Sequence, residues 1–258
     1  MICNSEGRVE KSYLLIPIKN GAPKSQIQLR IKGEVIREFY AELADTQIDI
    51  SFHSFLDVNQ FRGQTFSVHI KGSMKNLISQ ADEIPGSFYK ESLRPQFHFS
   101  AKVGWVNDPN GLVYHEEEWH LYFQHNPYGI KWGNMHWGHA VSPDLVHWHQ
   151  EPIAIYNKNI NDWAFSGSAV VDMANTGGWG EGAIIAAWTS TGRGECIAYS
   201  LDRGRTFTEF SGNPVVRHER NGRDPKLLCL PLGSIGLWLY MSRYRMEFTQ
   251  YLSLLPLI

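Results

Sequence analysis

Hydrophobic and polar residues alternate with a period of two along most of this chain, and this pattern predicts an all-β protein. Five runs in the first third predict strands at residues 13–18, 27–32, 35–43, 48–56 and 65–70. Turn sequences separate these runs at Asn20-Gly21, Lys32-Gly33 and Arg62-Gly63. We therefore predict a small β-sandwich over residues 13–90, a polar tail over residues 1–12, a helical turn or two within residues 74–81 and a linker over residues 82–93.

From residue 94 onward, aromatic-rich hairpins repeat with a period of 58 residues. Asp108, Ser166 and Asp224 each lie at the head of an apolar run, and successive members are 58 residues apart. Second strands are predicted at residues 119–124, 183–190 and 237–242, and third strands at residues 137–141 and 196–199. Similar turns begin at Ser142 and Ser200. Such repeats are typical of a β-propeller, whose innermost strands run along a central channel, so we expect the three strand heads to converge on one pocket.

Composition excludes several classes of partner. Charged residues make up 19% of the chain and the net charge is -2, so no attraction to nucleic acid or to an anionic membrane surface is predicted. No run of about 18 apolar residues occurs, so no membrane-spanning helix is predicted. Aromatic residues reach 13%, with nine Trp, which suits either sugar-binding surfaces or the core of a large all-β protein. Three cysteines without metal-like spacing indicate neither a disulfide framework nor a zinc site.

The sequence leaves the cellular location open. The N-terminus carries no basic and apolar export signal. Cys3, within Met-Ile-Cys-Asn, fits the remnant of a lipoprotein cleavage site and fits an ordinary thiol near a chain end equally well. An in-frame signal upstream of Met1 would support the lipid anchor, and a stop codon there would exclude it.

Two carboxylates that meet in a neutral, aromatic-lined pocket are the minimum needed to cleave a glycosidic bond. One attacks or stabilises the oxocarbenium-like centre, while another carboxylic acid protonates the leaving oxygen. Asp108 and Asp224, each followed by a proline, are candidates for such a pair. Taken singly, an Asp-Pro pair is more often a turn cap than a catalytic group. Its recurrence at the same point of the repeat favours a shared site.

The sequences of these motifs resemble those of glycoside hydrolase family 32, the levanase, inulinase and invertase group. The matching segments are Arg94-Pro-Gln-Phe-His-Phe99, Trp105-Val-Asn-Asp-Pro-Asn-Gly111, Tyr122-Phe-Gln-His-Asn-Pro127, Trp132-Gly-Asn-Met-His-Trp-Gly-His139, Phe165-Ser-Gly-Ser168 and Arg223-Asp-Pro225. They occur in the family's order over residues 94–226, about half of the chain. The preceding sandwich-like stretch resembles the N-terminal extension of levanase-type members from gut bacteria.

This resemblance implies a retaining mechanism on a fructan or a sucrose-type carbohydrate, without a cofactor or a metal. Asp108 matches the nucleophile that forms a covalent fructosyl-enzyme, and Asp224, with Arg223 beside it, matches the transition-state stabiliser. The positions that match the lining of the fructose pocket are Asn107, Gln124, Trp132, Phe165 and Ser166. Amide and hydroxyl groups suit the sugar hydroxyls, and aromatic rings suit its C–H face. The relatives also imply an exported, periplasmic or surface-anchored protein.

The family's third carboxylate, a general acid/base Glu followed by Cys, has no match in the expected place. Glu195-Cys196 precedes Arg223 instead of following it, and the 58-residue register sets Glu195 opposite Trp137, on a third strand away from the channel. We therefore reject Glu195 as the acid. From Asn107 onward 152 residues remain, about 2.6 blades at this period, whereas the family's five need about 290. We expect an incomplete, C-terminally truncated propeller with negligible hydrolysis and with uncovered edges that promote self-association.

Other interpretations stay open at this point. A non-catalytic fructan-binding module and the remnant of a broken gene are both consistent with a fructose pocket that lacks the general acid/base Glu. Related five-bladed families that act on arabinan are disfavoured by the wording of the motifs. His147 and His149 have the alternate spacing of some zinc ligands, but no third ligand is indicated. The fructan linkage and the choice between exo and endo cleavage are not determined by the sequence.

Overall fold

The computed structural model describes residues 2–72, 77–86, 88–217, 222–230, 234–241 and 252–253. Within these ranges the chain forms five antiparallel sheets, with two short 3-10 helices at Gln47–Asp49 and Asn59–Phe61. The predicted all-β class is confirmed. No helix in these ranges is long and apolar enough to cross a membrane.

The N-terminal part is a sandwich of two sheets. Its strands are β1 (Ile2–Arg8), β2 (Tyr13–Ile18), β3 (Lys24–Ile31), β4 (Glu34–Glu42), β5 (Phe52–Asp57), β6 (Thr65–Lys71) and β7 (Ser79–Ala81). One sheet has the order β1-β6-β3-β4 and the other β5-β2-β7. Alternate residues of β3, including Ile27 and Leu29, face inward and share one core with Leu14 and Ile16 of β2. The alternation seen in the sequence is therefore the core face of this sandwich.

Three details of the N-terminal prediction are wrong. The supposed tail over residues 1–12 contains strand β1, which pairs with β6 along its whole length. Its residues Glu6, Gly7 and Arg8 are exposed at the sheet edge, so no apolar alternation marks the strand. Residues 47–49 form a 3-10 helix, and the strand begins only at Phe52. Residues 79–81 form strand β7 where a helical turn was expected, while residues 74–76 of that segment lie outside the described residues.

The remaining strands form successive propeller blades. The first blade contains β8 (Trp105–His115), β9 (Glu118–Asn126), β10 (His136–Ser142) and β11 (His149–Ile155). The second contains β12 (Ala164–Asp172), β13 (Ala183–Ser190), β14 (Gly194–Ser200), β15 (Thr208–Glu209) and β16 (Val216–Arg217). A third sheet contains β17 (Gly222–Leu230), β18 (Ser234–Met241) and β19 (Leu252–Ser253). Strand β12 packs against β8 on one side and β17 on the other, so the first strands of the three sheets line a common centre.

The turns that follow the third strands repeat the same hydrogen bonds 58 residues apart. Ser142 Oγ donates to Asp144 Oδ1 at 3.1 Å, and Ser200 Oγ donates to Asp202 Oδ1 at 2.7 Å. In both turns the serine oxygen also accepts backbone N–H groups from the residues that follow. The sequence repeat is therefore a repeat of local structure as well.

Strand β4 of the sandwich is attached directly to the propeller. The Asn134 side chain accepts the N–H of Tyr40 at 2.9 Å and donates to the carbonyl of the same residue at 2.8 Å. The rings of Phe39 and Tyr128 stack with centroids 3.7 Å apart. Asn157 donates to another β4 carbonyl at 3.0 Å. These contacts position the sandwich beside the loop that carries Trp132.

Candidate active site

The heads of β8 and β12 meet through a hydrogen bond between two predicted site residues. The Ser166 hydroxyl donates to Oδ2 of Asp108 at 2.7 Å. The two strands approach closely because β8 carries Gly111 at the contact, where a Cβ would lie 2.7 Å from the Cβ of Ala169. The 58-residue repeat thus brings these two strand heads together, as the sequence led us to expect.

Each inner strand is irregular at its head. The pairing register shifts around Pro109 in β8, before Gly167 in β12 and around Pro225 in β17. Proline has no N–H for the ladder, and a bulge of this kind redirects neighbouring side chains. A Cβ at Gly167 would collide with the carbonyl oxygen of Ala187, so glycine is required there by the approach of β13. The irregular heads free their side chains from strict alternation.

Asp224, at the head of β17, supplies the second carboxylate. Its φ is 59°, in the left-handed region that few non-glycine residues adopt. Its N–H donates to Thr189 Oγ1 at 2.9 Å, which supports this conformation. Burial raises the pKa of Asp224, the charge of Asp108 acts in the same direction, and the Arg223 guanidinium opposes both. The two carboxylates therefore lie close enough to interact electrostatically.

Glu195 lies beside Asp224, so the prediction that it is remote from the channel is wrong. It does occupy the third strand, opposite Thr189 of β13. Thr189 Oγ1 donates to Glu195 Oε2 at 2.8 Å while accepting the N–H of Asp224, so one hydroxyl links the two acidic residues. The Glu195 residue is 3% exposed. Register within one blade could not reveal this link, because it runs through Thr189 to a strand of the next blade.

Burial raises the pKa of Glu195 to about 7, the Thr189 hydrogen bond lowers it, and the charge of Asp224 raises it further. A carboxyl group with this pKa changes charge near neutral pH. Sequence reasoning missed Thr189 altogether, because nothing local relates it to Asp224, 35 residues later.

Aromatic rings form one wall beside the strand heads. Trp132 is 51% exposed and lies edge-on to Phe165 and to Trp163, with ring centroids 5.8 Å and 5.3 Å apart. Trp137 Nε1 donates to the Phe165 carbonyl at 2.8 Å and fixes that part of the chain. Trp163 was not predicted. Its position two residues before Phe165 was the available signal, because extended chain places such residues on one face.

Two of the predicted pocket residues form hydrogen bonds within the protein, one to a backbone carbonyl and one to a neighbouring side chain. Gln124 is 2% exposed, and its Nε2 donates to the Ala164 carbonyl at 3.0 Å, which fastens β9 to the head of β12. Asn107 Oδ1 accepts a hydrogen bond from Trp105 Nε1 at 2.8 Å. Asn107 is thereby oriented next to Asp108, whereas Gln124 lies behind the pocket wall.

The described residues contain no group of three His, Cys, Asp or Glu side chains that could hold a metal ion. His147, considered above as a zinc ligand, has its Nδ1 2.7 Å from Oδ2 of Asp144 in the exposed turn. The arrangement at the strand heads is thus one of two interacting carboxylates, a hydroxyl and an aromatic wall.

Known proteins with related sequences share this part of the chain. A levanase from Bacillus subtilis (strain 168) is 48% identical over 155 residues, which cover 57% of this chain and 23% of the levanase. An extracellular exo-inulinase from Aspergillus niger is 40% identical over 169 residues, covering 53% of this chain and 32% of that protein. The chain thus spans about a quarter to a third of the length of these curated relatives.

Solved structures agree with these relationships. The fructofuranosidase from Schwanniomyces occidentalis, complexed with fructose, superposes with a TM-score of 0.54 at 41% identity over 57% of this chain and 31% of that chain. The model of the glycosyl hydrolases family 32 N-terminal domain matches residues 98–241, more than half of the sequence. The chain therefore belongs to glycosyl hydrolase family 32.

Proposed function

We propose that this chain carries the fructose-binding part of a β-fructofuranosidase active site, with Asp108 as nucleophile and Asp224 as transition-state stabiliser. The observation that carries the proposal is that both carboxylates lie at irregular heads of inner strands, β8 and β17, which pack on either side of β12. Relatives named levanase and exo-inulinase, and a related fructofuranosidase complexed with fructose, support fructosides as the substrate class.

In the proposed reaction, a carboxylate oxygen of Asp108 attacks the anomeric carbon of a terminal fructose and displaces the leaving oxygen. The Ser166 hydroxyl donates to Oδ2 of Asp108, which orients the carboxylate for attack. A covalent fructosyl-enzyme forms, and water then cleaves it, so the configuration is retained. Asp224 accepts hydrogen bonds from the sugar hydroxyls, and these strengthen as positive charge develops on the ring.

Departure of the leaving group requires a proton from a carboxylic acid. The family resemblance assigns that role to a Glu-Cys pair later in the sequence than Arg223-Asp-Pro225. Glu195 does not substitute for it, because its carboxyl group is buried and accepts the Thr189 hydroxyl behind Asp224. Loss of a positioned general acid lowers rates by about 10²- to 10⁴-fold. We therefore expect the 258-residue chain alone to bind fructosides and to hydrolyse them very slowly.

Calorimetry with a fructo-oligosaccharide tests this proposal. Wild-type chain should show saturable binding, and Asp224→Ala should weaken it about 10- to 100-fold, because a charged acceptor of several hydrogen bonds is lost. The isosteric Asp108→Asn should retain binding while abolishing any residual fructose release. Glu117→Gln, on an exposed hairpin turn, is the matched control. Absence of binding, or binding that Asp224→Ala leaves unchanged, would overturn the assignment.

A non-catalytic fructan-binding module is the second candidate, and the same measurement distinguishes it. In that case Asp108→Asn would leave both binding and the background rate of fructose release unchanged. A measurable slow release that disappears in Asp108→Asn supports the enzyme.

A further inference from the structure

A cavity of about 340 Å³ lies between the sandwich and the propeller, next to the candidate active site. Strands β3 and β4 contribute Lys24, Tyr40 and Glu42, and the propeller contributes Lys131, Trp132 and Trp163, together with neighbouring backbone. Its volume falls at the lower end of the range of small-molecule sites, which is about 300–1,000 Å³. The space therefore suits a ligand of the size of one sugar residue.

The cavity is continuous with the aromatic wall of the fructose pocket. Trp132 lines the cavity and also lies against Phe165, whose neighbour Ser166 donates to Asp108. Half of the Trp132 surface is exposed, so its ring can contact a ligand. Trp132 is therefore the side chain that the cavity and the aromatic wall beside Asp108 have in common.

The lining combines flat rings with charged groups, as carbohydrate sites do. Two indole rings, those of Trp132 and Trp163, supply faces for sugar C–H groups. Lys131 Nζ lies 2.8 Å from Glu42 Oε1, so an ion pair joins the two domains at the cavity wall. Lys24 lines the same space as an exposed cation, and ammonium groups donate hydrogen bonds to hydroxyls. The charges are mixed in sign, which suits a neutral polyol better than an anion.

We propose that this interdomain cavity binds a second sugar residue of a fructan oligosaccharide whose first fructose occupies the pocket at Asp108. The inference rests on the proposed function and extends it, because it gives the N-terminal sandwich a part in substrate selection. Longer fructosides then gain contacts that a single fructose lacks. Lys24, Tyr40 and Glu42 are specificity-determining residues that lie far from the family motifs in sequence.

The test compares ligands of one, two and three sugar residues: methyl β-D-fructofuranoside, sucrose and levan- or inulin-derived trisaccharides. All titrations use the Asp108→Asn background, which prevents turnover. We expect affinity to rise about 10-fold or more with the added residues, because each new hydrogen bond contributes roughly 2- to 12-fold. Lys24→Ala and Tyr40→Phe should reduce this rise and leave the affinity for the monosaccharide unchanged.

Two control variants separate the cavity from general effects on the domain contact. Asn157→Ala removes a sandwich–propeller hydrogen bond outside the cavity, and Lys32→Ala removes an exposed lysine from a sandwich turn. Both should keep the full dependence on ligand length. The inference fails if affinity is independent of length, or if the Asn157→Ala control abolishes the length dependence as Lys24→Ala does. Failure of every ligand to bind would instead overturn the proposed function.

Discussion

The first two propeller blades share a backbone plan and bury opposite kinds of ionisable group. The first blade buries four imidazoles, those of His120, His125, His136 and His139. In the second blade, strands β13 and β14 bury mostly aliphatic residues and one carboxyl group, that of Glu195, and Asp172 at the end of β12 is buried as well. The repeat thus fixes strand heads and turns, while the interior of each blade is free to vary.

The four imidazoles and the Glu195 carboxyl group have in common that burial favours their neutral form. Burial lowers the pKa of His120 and His125 to about 4 and that of His136 to about 3, and it lowers the pKa of His139 as well. Burial raises the pKa of Glu195 to about 7. The first blade should therefore weaken in acid and the second above neutral pH, which makes pH a means of separating them.

Acidification should have the largest effect on the free energy of unfolding. In the unfolded chain the histidines take up protons below a pKa of about 6.5, whereas in the folded protein they stay neutral until about pH 4. Their contribution to the free energy of unfolding is therefore fully present above pH 6.5 and is lost as the pH falls towards 4. At pH 5, each buried imidazole should lower the free energy of unfolding by about 2 kcal/mol relative to pH 7.5. Urea unfolding from pH 7.5 to 4.5 measures this loss. A free energy of unfolding that stays flat between pH 7 and 5 would contradict the assignment of neutral buried histidines.

Replacement of Glu195 by glutamine should have the opposite pH dependence. The folded pKa of about 7 lies above the unfolded value, so the wild-type contribution is present below about pH 4.5 and is lost as the pH rises through 7. Glu195→Gln keeps an acceptor for Thr189 without the charge. Relative to wild type, its free energy of unfolding should rise by about 3 kcal/mol between pH 4.5 and 8. The exposed Glu181→Gln is the control.

If Glu195→Gln raised the free energy of unfolding by the same amount at pH 4.5 and at pH 8, Glu195 would not titrate in this range. Glu195→Ala sharpens the experiment, because it also removes the acceptor of the Thr189 hydroxyl and so loosens the support of the Asp224 backbone. Fructoside affinity should therefore fall in Glu195→Ala and persist in Glu195→Gln at pH 6.

The smallest expected effect on stability concerns the serine turns that the two blades share. Ser142→Ala and Ser200→Ala each remove an oxygen that accepts backbone N–H groups in the turn after the third strand. Each should lower the free energy of unfolding by about 1 kcal/mol, because backbone N–H donors of the turn lose their acceptor. Thermal or urea unfolding of the two variants should agree within about 0.5 kcal/mol. A clear inequality would mean that the repeated turns do not contribute equally.

The sequence was sufficient for the propeller and for the position of Asp108 and Asp224 at equivalent strand heads, because both follow from one period. Asp108, Ser166 and Asp224 occupy equivalent strand heads, and equivalent heads meet at the centre of a propeller. The N-terminal sandwich was likewise predictable where apolar residues alternate, as at Ile27 and Leu29. These features depend on local pattern repeated along the chain.

The features that were missed depend on contacts between elements. Strand β1 is polar because it lies at a sheet edge, and only its pairing with β6 identifies it. The link from Glu195 through Thr189 to Asp224 crosses from one blade to the next, where no sequence period applies. The interdomain cavity arises from the docking of β4 by Asn134, a long-range contact that neither domain's pattern reveals.

Gly167 shows how a family signature mixes two kinds of requirement. It stands between Phe165-Ser166 and Ser168, yet its constraint is the carbonyl of Ala187 and not a sugar. A saturation-mutagenesis screen scored by fructoside binding should therefore rank this position as intolerant alongside its neighbours. A parallel measurement of protein abundance should distinguish variants at 167, which are expected to lose folded protein, from variants at 166, which are expected to keep it.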